Sequence, residues 1–437
     1  MFQPLQGKAL TAGITATSGL GFLLFGYDQG LFSGLLSISS FSKTFNHPNA
    51  VIQGQIVSSY DLGCIIGAAL SFFIGDRLGR RRAIFLGCTI IIVGGTLQAT
   101  SFALSQMIVA RIVTGVGTGI NTTAIPLWQS ETSEARHRGK LIVLQLFLLI
   151  CGLVITNLLN LGLTYVDPAN EFTWRFPLAF QCVFALLTMT LLTFMPESPR
   201  WLVLKDRPTE AHAIIARLMG RPSDNDEVLL NLQSILDTVQ YEQETQQKST
   251  IKELFSGGRQ QTFRRIVLGA SASFMQQIGG TNVIAYYLSV ILKDSFGFSS
   301  RMALILSVVD FILYSIWTLI GTQLIDRVGR KNLLLVGAVG QSICFGMAAL
   351  GLSIGNKPMN GFAVAFIFLF YVFHVSSNSI ERQQGEINDS VGIILLPYSL
   401  HLSERDQLPA YAQQWGRCCH DDPVAVCLCH CPDYSNR

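Results

Sequence analysis

Asp76-Arg77-Leu78-Gly79-Arg80-Arg81 lies directly after one long apolar run and directly before the next, and Asp326-Arg327-Val328-Gly329-Arg330-Lys331 does the same in the second half of the chain. Hydrocarbon tolerates charge poorly. Each word therefore belongs in a tight turn between two membrane-spanning helices, on the same face of the bilayer. The same turn in corresponding places of two halves marks a duplicated helical bundle.

Around these turns the apolar residues gather into ten blocks, at about 10–36, 52–75, 84–102, 106–126, 141–163, 176–195, 266–292, 302–325, 332–354 and 361–376. Roughly 20 residues suffice to cross about 30 Å of hydrocarbon. The 437 residues are 49% hydrophobic and only 14% charged, with a mean hydropathy of +0.41, whereas about a quarter of a soluble domain is charged. A net charge of +3 offers nothing to nucleic acid. Met1–Lys8 has no basic leader and the first run is long enough to span, so no cleaved signal is expected.

The plan expected is an all-α integral membrane protein of two pseudo-symmetric bundles. Residues 1–195 form the first, with six spans. Residues 196–265 form a linker, in which Pro196, Pro199, Pro208 and Pro222 precede a helix-like pattern at Val228, Leu229, Leu232, Ile235, Leu236 and Val239. That pattern predicts short amphipathic helices under the membrane. Residues 266–376 form an incomplete second bundle, so that about ten of twelve spans are present, and 377–437 is a polar tail outside the membrane.

Basic residues sort to one side. The turns after even-numbered spans hold Arg77 and Arg80–Arg82, then Arg136, Arg138 and Lys140, then nine Lys/Arg from Lys205 to Arg265, then Arg327, Arg330 and Lys331. The turns after odd-numbered spans hold Lys43, Arg175, Lys293, Arg301 and Lys357. The even turns and the N-terminus are expected on the cytoplasmic side.

Asp28, within Phe25-Gly26-Tyr27-Asp28-Gln29-Gly30 of the first span, needs a partner or a proton. Arg111, which opens a glycine-rich fourth span (Gly115, Gly117, Gly119), is the candidate partner. The pair reads either as a proton-coupling site or as a static tie between helices. Asp61 and Asp310 also fall in apolar runs, at span ends, against a wet cavity or in a substrate or proton role.

Gln276, Gln277 and Asn282 flank Gly279-Gly280 and Thr281 in the seventh span, with Tyr286-Tyr287 following. Amides donate and accept, which suits an uncharged polyhydroxylated ligand, and tyrosine offers a flat face with a hydroxyl. The two glycines weaken the helix where a transporter site needs a break. The alternative is hydrogen-bonded glue between helices.

Mixed charge at the cytoplasmic ends reads either as a topology signal or as a gate between bundles: Asp76, Arg77, Arg80, Arg81, Glu131, Arg138, Glu197, Arg200, Asp326, Arg327 and Arg330.

At these residues the chain resembles the sugar porter branch of the major facilitator superfamily, fungal type, over about 10–375. Besides the paired turns, the resemblance rests on Pro196-Glu197-Ser198-Pro199-Arg200-Trp201-Leu202, the Arg111/Gly115/Gly117/Gly119 pattern, Pro126, Trp128, Ser130 and Glu131 with Arg138-Gly139, and the Gln276–Tyr287 segment. It implies alternating access with one sugar held between two bundles, at the plasma membrane, with no enzymatic chemistry and no cofactor. Gln276, Gln277 and Asn282 match the family's sugar-contacting amides, Asp28 the acid of proton-coupled members and Arg111 its partner. Gln145 is a further candidate contact, although it stands seven residues after Arg138 where eight is usual, and one residue turns a side chain by about 100°. The function implied is proton-coupled monosaccharide symport, with sugar, protons and lipid as partners. A uniporter, a polyol or disaccharide carrier and a non-transporting sugar sensor are the alternatives.

The family continues with a Tyr-Pro-x-Glu-Ile-Asn turn and two more spans. Leu402–Pro409 is what Tyr-Pro-Ser-Glu-Ile-Asn-Ser-Leu yields when its codons are read one base early. An out-of-frame tail, and with it an inactive product, is the resulting expectation. It also accounts for Cys418, Cys419, Cys427, Cys429 and Cys431 without a metal.

Overall fold

The computed structural model describes residues 5–246 and 277–377, apart from 37, 134–137, 167–169, 329 and 355–356, together with 264, 267, 271 and 274. Every regular element among the described residues is a helix. The first bundle is built from α1 (Gly7–Leu35), the short α2 (Ser39–Thr44), α3 (Ala50–Leu78), α4 (Arg80–Ala99), α5 (Leu104–Thr132), α6 (Arg138–Leu163) and α7 (Phe172–Phe194). Three helices follow outside it: α8 (Pro199–Leu204), α9 (Pro208–Met219) and α10 (Asp226–Gln246). The second set is α11 (Thr281–Asp294), α12 (Ser300–Val328), α13 (Arg330–Ile354) and α14 (Lys357–Ser377). Nine of the ten apolar blocks fall on α1, α3–α7 and α12–α14, and the end of the seventh, from 281, falls on α11, most of that block before 277 lying outside the described residues. Among the described residues seven helices, α1, α4–α7, α12 and α13, are long and apolar enough to cross a membrane. The tail from 378 and its cysteines lie outside the described residues.

The first bundle is held by close backbone crossings. A Cβ on Gly115 would sit 2.2 Å from the Tyr60 carbonyl oxygen, and one on Gly119 would sit 2.2 Å from that of Cys64. The fourth-span glycines thus let α5 lie against α3 with main chains in contact, the small-residue solution to packing in lipid. α1 packs on α6, and α4 on both α5 and α7. The two halves meet where α1 contacts α11 and where α6 contacts α12. Ile150 and Leu153 of α6 share one apolar cluster with Ile284 and Leu288 of α11 and Phe311 of α12.

The linker folds as its prolines direct. Pro199 takes the first turn of α8, and the Ser198 hydroxyl accepts from the Trp201 amide at 3.2 Å. Pro208 starts α9 in the same way, and Gly220 ends it with φ 63°. Trp201, Leu202 and Val203 pack on Ala211 of α9 and Val239 of α10.

Candidate functional site

α1 and α5 bring Asp28 and Arg111 into the interior, where both are 0% exposed. The direct ion pair expected from the sequence does not form. Neither Asp28 oxygen and none of the Arg111 guanidinium nitrogens has a hydrogen-bond partner among the described residues. The guanidinium lies instead between two rings, 4.3 Å from the Phe32 centroid and 4.4 Å from that of Tyr60. A cation between ring faces gains about 2 kcal/mol or more when desolvated, which competes with the carboxylate for its position. The Arg111 charge nevertheless acts on both Asp28 and Asp61. The cage of Phe32 and Tyr60 was not apparent in the sequence, because an aromatic in an apolar run reads as packing.

Asp61 is not a span-end acid. Its Oδ1 accepts the Tyr286 hydroxyl at 3.3 Å, joining α3 of the first half to α11 of the second. Three residues on, the Ser289 hydroxyl donates to the Ser33 carbonyl of α1. The Tyr287 hydroxyl lies beside Gly54 of α3. These ties cluster at the end of α1 that carries Asp28, away from the end that carries Met195 and Gly220 beside its first turns.

The helix break predicted at Gly279-Gly280 is present. Residues 277–278 are helical, 279–280 form a turn, and Gly280 takes φ 80° ahead of α11. A Cβ at Gly280 would meet the Phe345 ring at 2.8 Å, so both conformation and space require glycine. Across the break the Asn282 amide donates to Gln277 Oε1 at 2.8 Å, which puts two of the candidate amides side by side. Gln276 lies outside the described residues.

A third group escaped the sequence reading. His374 of α14 is buried, and its Nδ1 lies 2.9 Å from the Thr281 hydroxyl and 3.3 Å from the Gln341 amide nitrogen. Its ring stacks on Phe370 with centroids 5.6 Å apart. A lone histidine within an apolar run was the available signal. Asp310 is also buried, without a partner for either oxygen among the described residues. Gln145 donates to Gln129 Oε1 inside the first bundle.

At the charged end the described side chains pair within the first half. Arg80, 4% exposed, forks onto Glu131 with Nε–Oε2 at 3.0 Å and Nη2–Oε1 at 3.1 Å, and reaches Asp76 at 3.3 Å. Glu197 accepts the backbone N–H groups of Arg80, Arg81 and Ser198 at 3.0–3.2 Å. The Trp201 indole donates to the Asp76 carbonyl and the Trp128 indole to that of Pro196, both at 3.1 Å. All these bonds lie within the first half and its linker, because α4 starts against the end of α5 and a short fork is satisfied there. Arg77 is exposed, Arg81 donates to the Thr193 carbonyl at 2.8 Å, and Arg200 is half-buried. The side chains of Arg138, Asp326, Arg327 and Arg330 lie outside the described residues. Burial pushes the Glu197 carboxyl above the ordinary glutamate range, with the amides and Arg80 pulling the other way.

A family model described as sugar (and other) transporter matches residues 14–380. The chain is 38% identical over 375 residues to the MFS-type transporter oryC of Aspergillus oryzae, covering 84% of this chain and 69% of the relative. It is 36% identical over 382 residues to the sugar transporter STL1 of Saccharomyces cerevisiae, covering 84% and 66%. The chain thus spans about two thirds of the length of these curated relatives. The proton:xylose symporter XylE from E. coli, bound to 6-bromo-6-deoxy-D-glucose, superposes with a TM-score of 0.72 at 23% identity, over 95% of this chain and 91% of that one.

Proposed function

The chain belongs to the sugar (and other) transporter family of the major facilitator superfamily, a family of carriers rather than enzymes, and we propose that it moves a monosaccharide together with a proton by alternating access. In this reading residues 1–195 and 266–376 are the two rocking bundles, 196–265 is the linker between them and the N-terminus faces the cytoplasm of a plasma-membrane carrier. Sugar hydroxyls are held by Gln276, Gln277 and Asn282 at the break ahead of α11, with Tyr286 and Tyr287 covering the ring. Asp28 takes the proton. The turn residues Asp76, Arg80, Glu131, Glu197 and their counterparts Asp326, Arg327 and Arg330 hold the cytoplasmic side.

One observation carries the coupling: the Arg111 guanidinium sits between Phe32 and Tyr60 and not on Asp28. A protonated Asp28 offers the guanidinium no charge, so aromatic faces and Asp61 hold it. An ionised Asp28 competes for it and pulls α5 toward α1. Proton transfer at one carboxyl thereby changes which helices Arg111 ties together, and a ligand or charge can shift a two-state equilibrium only through such a difference between states.

The test is accumulation of labelled hexose, pentose and inositol by vesicles containing the purified protein under an imposed pH gradient. Wild type should concentrate substrate, and Asp28→Asn should exchange it across the membrane without concentrating it. Accumulation unaffected by Asp28→Asn would remove Asp28 as the proton site. Equilibration without accumulation by wild type would make the chain a uniporter.

A further inference from the structure

A cavity of about 620 Å³ lies at the charged end of the first bundle, where α4 begins and α7 ends, against α8 and α9. We propose that it binds the phosphate-bearing headgroup of an acidic phospholipid. Four arginines line it, Arg81, Arg82, Arg207 and Arg217, against two carboxylates, Glu197 and Glu210. Neither carboxylate is free to neutralise them. Glu197 is occupied by three backbone N–H groups, and Glu210 takes both arms of Arg207 at 2.7 Å. Among the described residues Arg81, Arg82 and Arg217 have no carboxylate partner in an ion pair. Arg81 spends one nitrogen on the Thr193 carbonyl, and the buried Nε of Arg217 has no hydrogen-bond partner among the described residues. Arginine forks match phosphate oxygens in pairs.

Most of the rest of the wall is apolar. Phe85, in the second turn of α4, is 43% exposed, and Phe194, the last residue of α7, is 66% exposed. Both belong to helices that reach the membrane. A cationic floor joined to an apolar door facing lipid fits a molecule with an anionic head and acyl chains. The volume falls within the about 300–1,000 Å³ of small-molecule sites and exceeds what a bare phosphate fills. Basic pockets beside spans on the cytoplasmic side bind such headgroups. The site lies apart from the proposed sugar site and is made by the first bundle and linker alone.

Binding is read without transport, so a failed uptake assay leaves it standing. The purified full chain in detergent would be titrated with dioctanoyl phosphatidylinositol 4,5-bisphosphate, with free inositol 1,4,5-trisphosphate and with inorganic phosphate, following the fluorescence of Trp201 in the cavity wall. Saturable binding of the lipid, at least about tenfold tighter than of the free headgroup, is expected. Arg82→Gln, at an exposed position, should weaken it about fivefold, and Arg82→Gln with Arg217→Gln should weaken it further at an unchanged melting temperature. Phe194→Ser should weaken the lipid but not the headgroup. Equal affinity for lipid and headgroup would assign the site to a soluble phosphate compound and overturn the lipid proposal. No saturable binding, or binding indifferent to Arg82→Gln and to Phe194→Ser, would remove the site.

Discussion

The Tyr286 hydroxyl donates to Asp61 Oδ1 at 3.3 Å across the junction between the two halves. Asp61 is also one of the two carboxylates on which the Arg111 charge acts. A bond between the two halves is therefore placed within the field of the cation that sits between Phe32 and Tyr60. Tyr286→Phe keeps the ring and its packing and removes only the donor. A hydrogen bond to a charged group contributes about 1.5–3 kcal/mol, and at 3.3 Å the lower end applies. The variant should shift the carrier about tenfold toward the state open at the Asp61 end. A distance measurement between spin labels on α3 and α11 would register a longer population. An unchanged distribution would show that the bond does not hold the halves together.

The cage around Arg111 makes a prediction that separates ring from hydroxyl. The Tyr60 hydroxyl is buried with no partner among the described residues, while its ring lies 4.4 Å from the guanidinium. Tyr60→Phe should therefore be neutral or slightly stabilising. Tyr60→Leu loses the ring face and should cost about 1–2 kcal/mol, seen as a lower melting temperature in detergent and a weakened dependence of uptake on pH. Equal behaviour of the two variants would mean that the ring only fills space.

Arg80 forks onto Glu131 in a buried, two-bonded ion pair at the charged end. The two side chains are 4% and 6% exposed. Removing one member of such a pair leaves the other charge uncompensated, at about 3–5 kcal/mol. Glu131→Gln keeps one acceptor and should fall at the lower end, with a large loss of thermal stability. Arg77→Gln, at an exposed position in the same turn, should change stability by less than about 0.5 kcal/mol. Unfolding curves of the two variants side by side would check the contrast.

What could be read from the sequence followed from strong, local physics. Charge between apolar runs placed the turn at Gly79, paired glycines placed the break at Gly280, and the periodic apolar residues from Val228 to Val239 placed a helix of the linker. The partners of the polar residues were another matter. Asp28 and Arg111 were singled out as costly in lipid, but their direct pairing was inferred from opposite sign and from the resemblance, and the rings of Phe32 and Tyr60 took the guanidinium. The charged word at 76–81 marked a turn, but nothing in it pointed to Glu131 and Glu197 as the groups that meet Arg80 and its backbone. Such contacts depend on which helices touch, and helical periodicity says which face is polar without saying what stands opposite it.

Glu197 offers a prediction whose sign follows from linkage. Burial raises its carboxyl above the ordinary value of 4.5, so the folded protein holds that proton more tightly than the unfolded chain. Where the folded state binds more protons, stability falls as pH rises. The window runs upward from about the unfolded value to the raised folded one, and beyond it the contribution is constant. Glu197→Gln has no proton to exchange and loses one of two oxygens that receive the amides of Arg80, Arg81 and Ser198. The melting temperature of wild type relative to the variant should thus be most favourable below about pH 4.5 and decline as the pH rises above it. Scans in detergent at three pH values across that window suffice. A difference that grows with pH would mean that the backbone amides and the Arg80 charge outweigh burial at this carboxylate.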